Sequence, residues 1–157
     1  MCGIAGILSE KPLNEAILPG LENMASAIAH RGPDGHGIKL YPHAALVHTR
    51  LSIIDIEQGA QPMCDSSGRY TITFNGEIYN YRLLRKELSS HGVQFKTQSD
   101  TEVILALWRA HGVEGLARMR GMFALAIWDA REQEAVLVRD PCGIKPLFIR
   151  IPNQYSF

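Results

Sequence analysis

The sequence has no surplus of charge. Lys+Arg and Asp+Glu number 16 each in 157 residues, so nothing pulls it toward nucleic acid or an anionic membrane surface. It has no apolar run of the ~18 residues that a bilayer-spanning helix needs, and no secretory leader pattern at its start. Cysteine is scarce: Cys2, Cys64 and Cys142 are odd in number and far apart, which excludes a disulfide framework and fits free thiols in a reducing cytoplasm. No C-x-x-C occurs, and the six histidines (His30, His36, His43, His48, His91, His111) include no i, i+4 pair, so no metal site is expected. Internal repeats and low-complexity tracts are lacking, and 14 glycines and 8 prolines are ordinary usage. What is there is a neutral chain, 46% hydrophobic, of a length that buries about 70% of its unfolded surface in one core.

Periodicity then places the elements. Cys2 to Leu8 is small and apolar and reads as a buried strand, so the chain begins inside its own core. Leu21, Met24, Ala25 and Ile28 have helical spacing after Pro19-Gly20, with an end near His30 before the Gly32-Pro33-Asp34-Gly35 turn. Strands follow at Gly37 to Tyr41 and Ala44 to Thr49. Tyr70, Ile72 and Phe74 alternate with Thr71 and Thr73 in a third, which ends at Asn75-Gly76. Tyr81 to His91 reads as a surface helix presenting Leu83, Leu84 and Leu88. A second helix starts at Ser99-Asp100-Thr101-Glu102, where Ser99 and Glu102 have capping-box spacing, and runs to Gly112. Met122 to Trp128 and Ala135 to Val138 read as two buried strands of a hairpin. Antiparallel runs with helices between them indicate an α+β or layered α/β fold.

Chemistry concentrates at Cys2. Once Met1 is removed, one residue carries a thiol and an α-amine. The amine pKa of about 7.7–8.0 lies close enough to the thiol's about 8.5 for the amine to act as base. The bland alternative is a small buried cysteine in a strand. Asn75 and Gly76 offer a side-chain amide and a backbone N–H to a developing oxyanion, although Asn-Gly read alone also fits a hairpin turn. Arg50 has the fork to hold a carboxylate or, equally, to lie solvated. Asp100 suits an ammonium or, equally, a helix start.

Seven collinear motifs carry a resemblance: Cys2-Gly3-Ile4-Ala5-Gly6-Ile7, His30-Arg31-Gly32-Pro33-Asp34-Gly35, Arg50-Leu51-Ser52-Ile53-Ile54-Asp55, Gln61-Pro62-Met63, Phe74-Asn75-Gly76-Glu77-Ile78-Tyr79-Asn80, Ser99-Asp100-Thr101-Glu102 and Arg139-Asp140-x-x-Gly143-Ile144-Lys145-Pro146-Leu147. Over residues 1–149 the chain resembles the glutaminase domain of the glutamine-hydrolysing asparagine synthetases, a class II glutamine amidotransferase. The resemblance implies a four-layer α/β/β/α sandwich of the N-terminal-nucleophile hydrolase type and hydrolysis of L-glutamine to glutamate and ammonia through a Cys2 thioester. It implies Cys2, Asn75 and Gly76 as catalytic residues, and Arg50, Leu51, Ile53, Ile54, Glu77 and Asp100 as the substrate-binding set. Arg31 and Asp34 are implied as supports of Cys2.

The resemblance departs at Pro141-Cys142, where the family carries a basic residue and an aromatic, and over the tail from Ile149 to Phe157. The expectation is one glutaminase domain over 1–157, short of its last strands, without the ATP-dependent synthetase domain to which ATP and Mg would belong. No cofactor is then expected in this domain. The expected partners are glutamine and a separate or fused synthetase domain, in the cytoplasm, with neither nucleic acid nor membrane. The alternative is a truncated, non-catalytic relative that binds glutamine or a synthetase partner. An acylase-like hydrolase is disfavoured because an apolar acyl substrate has no zwitterion for Arg50 and Asp100 to hold.

Overall fold

The computed structural model describes residues 2–52, 55 and 58–151. Seven strands form two sheets. β1 (Gly3–Leu8), β2 (Gly35–Leu40) and β3 (Ala44–Arg50) make an antiparallel sheet in the order β1-β3-β2. β4 (Met63–Cys64), β5 (Tyr70–Ile78), β6 (Gly121–Asp129) and β7 (Glu134–Arg139) make a second, antiparallel in the order β4-β5-β6-β7. Helix α1 (Leu18–Ala27) covers the first sheet. Helices α2 (Tyr81–Ser90) and α3 (Asp100–Leu116) cover the second. The result is the expected four-layer α/β/β/α sandwich.

Side-chain alternation sorts each strand between two cores. On β3, Ala45 and Val47 pack with Leu21 and Ala25 of α1, while Ala44 and Leu46 meet Ala126 and Trp128 of the other sheet. On β5, Ile72, Phe74 and Ile78 point to the helices, into the large cluster with Leu84, Leu88, Ile104 and Leu107. Thr71, Thr73 and Asn75 therefore face the first sheet, where Thr73 Oγ1 donates to Val47 O at 3.3 Å. The apolar contact between the sheets is small, and toward one end it gives way to polar residues.

The elements differ from the sequence expectation at several points. α1 begins at Leu18, with Pro19 in its first turn, and a 3-10 turn over Ala29–Arg31 completes the approach to Gly32. On α2 only Leu84 and Leu88 are buried; Leu83 is 73% exposed, because positions i and i+4 share a face and i−1 turns about 100° away from it. α3 breaks where the sequence placed its end, at Gly112 (φ 57°), and a further turn reaches Leu116. The last two strands do form a hairpin, but β7 is a half-exposed edge rather than a buried strand. Pro141 and Cys142 occupy the centre of a turn closed by Gly143 N–H on Asp140 O at 2.9 Å, a place that suits proline. Among the described residues no helix is long and apolar enough to cross a membrane.

Candidate active site

β5 does not end at Asn75. All nine of its residues pair with β6, Asn75 opposite Ala124 and Gly76 opposite Phe123, so Asn75-Gly76 lies within a strand and the turn reading is overturned. The other edge of β5 is what matters. β4 supplies Met63 and Cys64, opposite Ile72 and Thr71, so beyond Ile72 that edge has no strand partner among the described residues. Side chains stand in for one. Phe74 N–H donates to Gln61 Oε1 at 2.7 Å, the Phe74 carbonyl lies 3.3 Å from His48 Nε2, and Ile78 N–H donates to Asp100 Oδ2 at 3.1 Å. The two-residue alternation of backbone groups puts the Gly76 N–H on this same open edge, between Phe74 and Ile78.

A cleft of about 100 Å³ opens there, at the end of the space between the sheets. Cys2, Arg50, Leu51, Asn75, Gly76, Glu77 and Asp100 all line it, so every expected site residue that the structure describes converges on one cleft. Ile53 and Ile54 lie outside the described residues. Cys2 directly precedes β1, whose Gly3 pairs with Thr49, and this register sets Cys2 beside the Arg50–Leu51 end of β3. Leu51 N–H donates to Cys2 Sγ at 3.4 Å, and the thiol lies 3.7 Å from Leu51 O.

Close packing fixes this corner. Arg31 Nε donates to Cys2 O at 3.1 Å, and Asp34 Oδ2 accepts from Ser52 N–H at 2.7 Å, so the Arg31 to Asp34 turn holds both Cys2 and the segment beyond Arg50. At Gly32 a Cβ would sit 2.3 Å from the Thr49 carbonyl carbon, which leaves glycine as the residue that fits.

The residues expected to bind substrate divide by charge. The Arg50 guanidinium donates to Asp55 O at 2.6 Å through Nη2, which orients its planar fork at the cleft wall. Asp55 in turn accepts from Gln98 N–H at 2.6 Å, tying this segment to the approach to α3. Asp100 is buried and takes two roles at once, first residue of α3 and acceptor for Ile78 N–H. Burial pushes its carboxyl above the usual range, and the negative charge of Glu77 adds to that. An incoming ammonium offsets both effects. Glu77 is exposed at the rim. Ser99 caps α3 by accepting from Glu102 N–H at 3.2 Å, as its spacing predicts, but Glu102 turns to Thr97 and Lys96 instead of completing the box.

The cleft holds more than the sequence reading assigned. Gly59, Gln61, Phe74, Ser99, Thr101, Met122 and Lys145 also line it. Gln61 had a signal, its place in a motif, but no chemistry to explain it; it bridges Phe74 N–H and Thr101 Oγ1, the latter at 3.3 Å. Lys145 is brought in by a loop built on the buried Asp140, whose carboxylate accepts from Phe123, Ile144 and Lys145 N–H. Burial tends to raise the Asp140 carboxyl, and these backbone donors outweigh it, so the group stays below the usual carboxylate range. Among the described residues no group of three His, Cys, Asp or Glu side chains is arranged to hold a metal.

Comparison with known proteins agrees with this geometry. A model of the glutamine amidotransferase domain matches residues 1–157. Asparagine synthetase [glutamine-hydrolyzing] 1 of Bacillus subtilis is 44% identical over 159 aligned residues, covering 100% of this chain and 25% of that protein. Asparagine synthetase B [glutamine-hydrolyzing] of Escherichia coli is 40% identical over 149, covering 95% and 27%. The chain thus spans about a quarter of the length of these relatives. In fold it is similar to glutamine phosphoribosylpyrophosphate amidotransferase from B. subtilis, with a TM-score of 0.73 at 22% identity over 93% of this chain and 38% of that one. With the sandwich, the cleft and a match over its whole length, the chain belongs to the glutamine amidotransferase domain family.

Proposed function

We propose that this chain is a glutaminase domain that hydrolyses L-glutamine to glutamate and ammonia, with Cys2 as nucleophile. The observation that carries the reading is the convergence on one cleft of a thiol, two oxyanion donors and a charge pattern matching an amino-acid zwitterion. With Met1 removed, the Cys2 α-amine takes the thiol proton and Sγ attacks the side-chain carbonyl carbon of glutamine. The carbonyl oxygen becomes an oxyanion received by the Asn75 side-chain amide and the Gly76 N–H. Collapse of the tetrahedral adduct breaks the C–N bond, the α-ammonium protonates the departing amine, and ammonia leaves behind a γ-glutamyl thioester. Water, deprotonated by the same amine, attacks the thioester, and glutamate departs as the thiol re-forms. Every group in this sequence belongs to the chain or to substrate and water, so the chemistry as written calls for no cofactor.

Arg50 holds the α-carboxylate, Glu77 and Asp100 hold the α-ammonium, and Leu51 lines the pocket, with Ile53 and Ile54 kept in the substrate-binding set by the resemblance. The ammonia passes to an asparagine-synthetase-type amidation of a carboxylate. In this reading the synthetase domain that binds ATP and Mg is a separate or fused partner, and the setting is cytoplasmic, in keeping with free thiols at Cys2, Cys64 and Cys142.

The test is intact mass together with glutamate release from glutamine, without ATP, for wild type and Cys2→Ala. Loss of Met1 and release that disappears in Cys2→Ala supports the reaction. A folded chain that binds glutamine with no Cys2-dependent release overturns it and leaves a binding-only relative.

A further inference from the structure

His48 is fully buried, at 0% exposure, on the face of β3 that looks toward the second sheet, and no step above uses it. Its Nε2 lies 3.3 Å from Phe74 O, while Nδ1 has no hydrogen-bond partner among the described residues. A carbonyl can only accept, so the contact fixes the tautomer with the proton on Nε2. The location is particular. Phe74 immediately precedes Asn75 and Gly76, on the edge of β5 that has lost β4, and its two backbone groups are met by side chains, N–H by Gln61 and C=O by His48. On its own sheet, His48 pairs with Ile4 of the strand that directly follows Cys2, and Arg50 follows two residues later.

One side chain thus ties the strand that registers the nucleophile to the strand that presents the oxyanion donors. We propose that His48 is a positioning residue of the oxyanion hole: its Nε2–H bond to the Phe74 carbonyl sets where Asn75 and Gly76 stand relative to Cys2 Sγ. The proposal rests on the reading of Cys2, Asn75 and Gly76 given above. An apolar residue would fill the same space without stranding a nitrogen, so simple packing does not account for an imidazole here. A second tie between the sheets, Thr73 Oγ1 to Val47 O, is independent of His48 and keeps them joined when the imidazole is replaced.

The experiment compares wild type, His48→Leu, His48→Gln and His48→Asn as full chains. Active sites are counted by the mass gained on alkylation of Cys2 with a diazoketone analogue of glutamine, and kcat and KM are measured per active site. His48→Leu is expected to lower kcat about 10- to 100-fold with KM within about twofold, because the donors act on the transition state and a misplaced donor costs at most what a missing one does. The amide of Gln reaches where Nε2 stood and restores kcat to within about fivefold of wild type, whereas Asn, one carbon shorter, does not. A working wild type with an indifferent His48→Leu, or with Gln and Asn equally active, overturns the positioning role alone. If His48→Leu does not fold, the Gln and Asn pair decides. A wild type without Cys2-dependent release overturns the reaction, and this role with it.

Discussion

Gly76→Ala tests the oxyanion assignment at its most exacting point. A Cβ built there lies 2.2 Å from Met122 O, 2.7 Å from Phe123 Cα and 2.9 Å from Phe123 Cβ. The nearest of these are backbone atoms of β6 and cannot rotate aside. Ordinary contact begins at 3.4 Å, so β5 must move away from β6 by as much as 1.2 Å at this residue, and the Gly76 N–H moves with it. A displacement of that size takes a donor out of the 2.7–3.1 Å range that an oxyanion requires, and loss of one donor lowers kcat by about 10²–10³, or ~2.7–4 kcal/mol. Overpacking separately lowers stability by about 1–3 kcal/mol, which for a chain of this size lowers Tm by roughly 2–12 °C. The assay is glutamate release per alkylated Cys2, paired with a thermal melt. Gly20→Ala is the control, since nothing lies within 4 Å of its Cβ and an exposed helical alanine is expected to add up to ~1 kcal/mol with no change in rate. A folded Gly76→Ala chain with kcat within about twofold of wild type would refute the placement of this N–H in the oxyanion hole, whatever its Tm.

Asp100→Asn is expected to separate stability from function. Burial raises the Asp100 carboxyl, so the folded state bears a cost at pH values above that group's pKa that an amide avoids. The variant should melt higher than wild type at pH 7, with the difference shrinking in acid, while KM for glutamine rises about 10- to 100-fold through loss of a charged partner for the ammonium. Lower Tm at pH 7 or unchanged KM would count against it. His48 gives the opposite pH signature: burial, with repulsion from Arg50, lowers its pKa from 6.5 to about 4. Between those values the unfolded chain holds a proton that the folded chain refuses, so up to about 3 kcal/mol of stability present at pH 7 is lost as pH falls toward 4. Urea midpoints at pH 7 and 4.5 should fall further in wild type than in His48→Gln, and parallel falls contradict a neutral buried imidazole. Asp140→Asn removes a carboxylate that accepts from three backbone N–H groups and is held below the usual carboxylate range, so its loss of Tm should be large at pH 7 and shrink as acid protonates the wild type. A deficit that stays constant as pH falls through and below the carboxylate range means that the charge is not what anchors the Lys145 loop.

Much of this was legible in the chain because the signals are local. Alternation in β5, the i, i+4 pair Leu84 and Leu88, the Ser99 cap and the break at Gly112 follow from backbone periods that a linear sequence displays. Where the local reading failed, a distant partner decided. Asn75-Gly76 has turn chemistry, yet nine consecutive pairs with β6 hold it extended. Leu137 looks like a buried strand residue, and only the strand order places it on an edge. Gln61 and Lys145 join the site through contacts 13 and 5 residues away, to Phe74 and Asp140, that no composition or periodicity encodes.

The Gly76 N–H, the proposed oxyanion donor, lies within a strand, and the sheet shows how a strand can spare one. A fully paired strand has no N–H to spare, and a loop N–H is hard to hold within tenths of an ångström. This fold shortens β4 to two residues, so the edge of β5 stays rigid through β6 while its outer groups become available one by one. Gln61, His48 and Asp100 satisfy the positions on either side, at Phe74 and Ile78, and leave Gly76 between them facing the cleft. In the proposed reaction, a side chain that pairs a neighbour of Gly76 therefore acts through the strand it steadies. In the proposed reading Asp100 also gives the substrate a direct charge, which makes α3's first residue the place where folding and binding demands compete most openly.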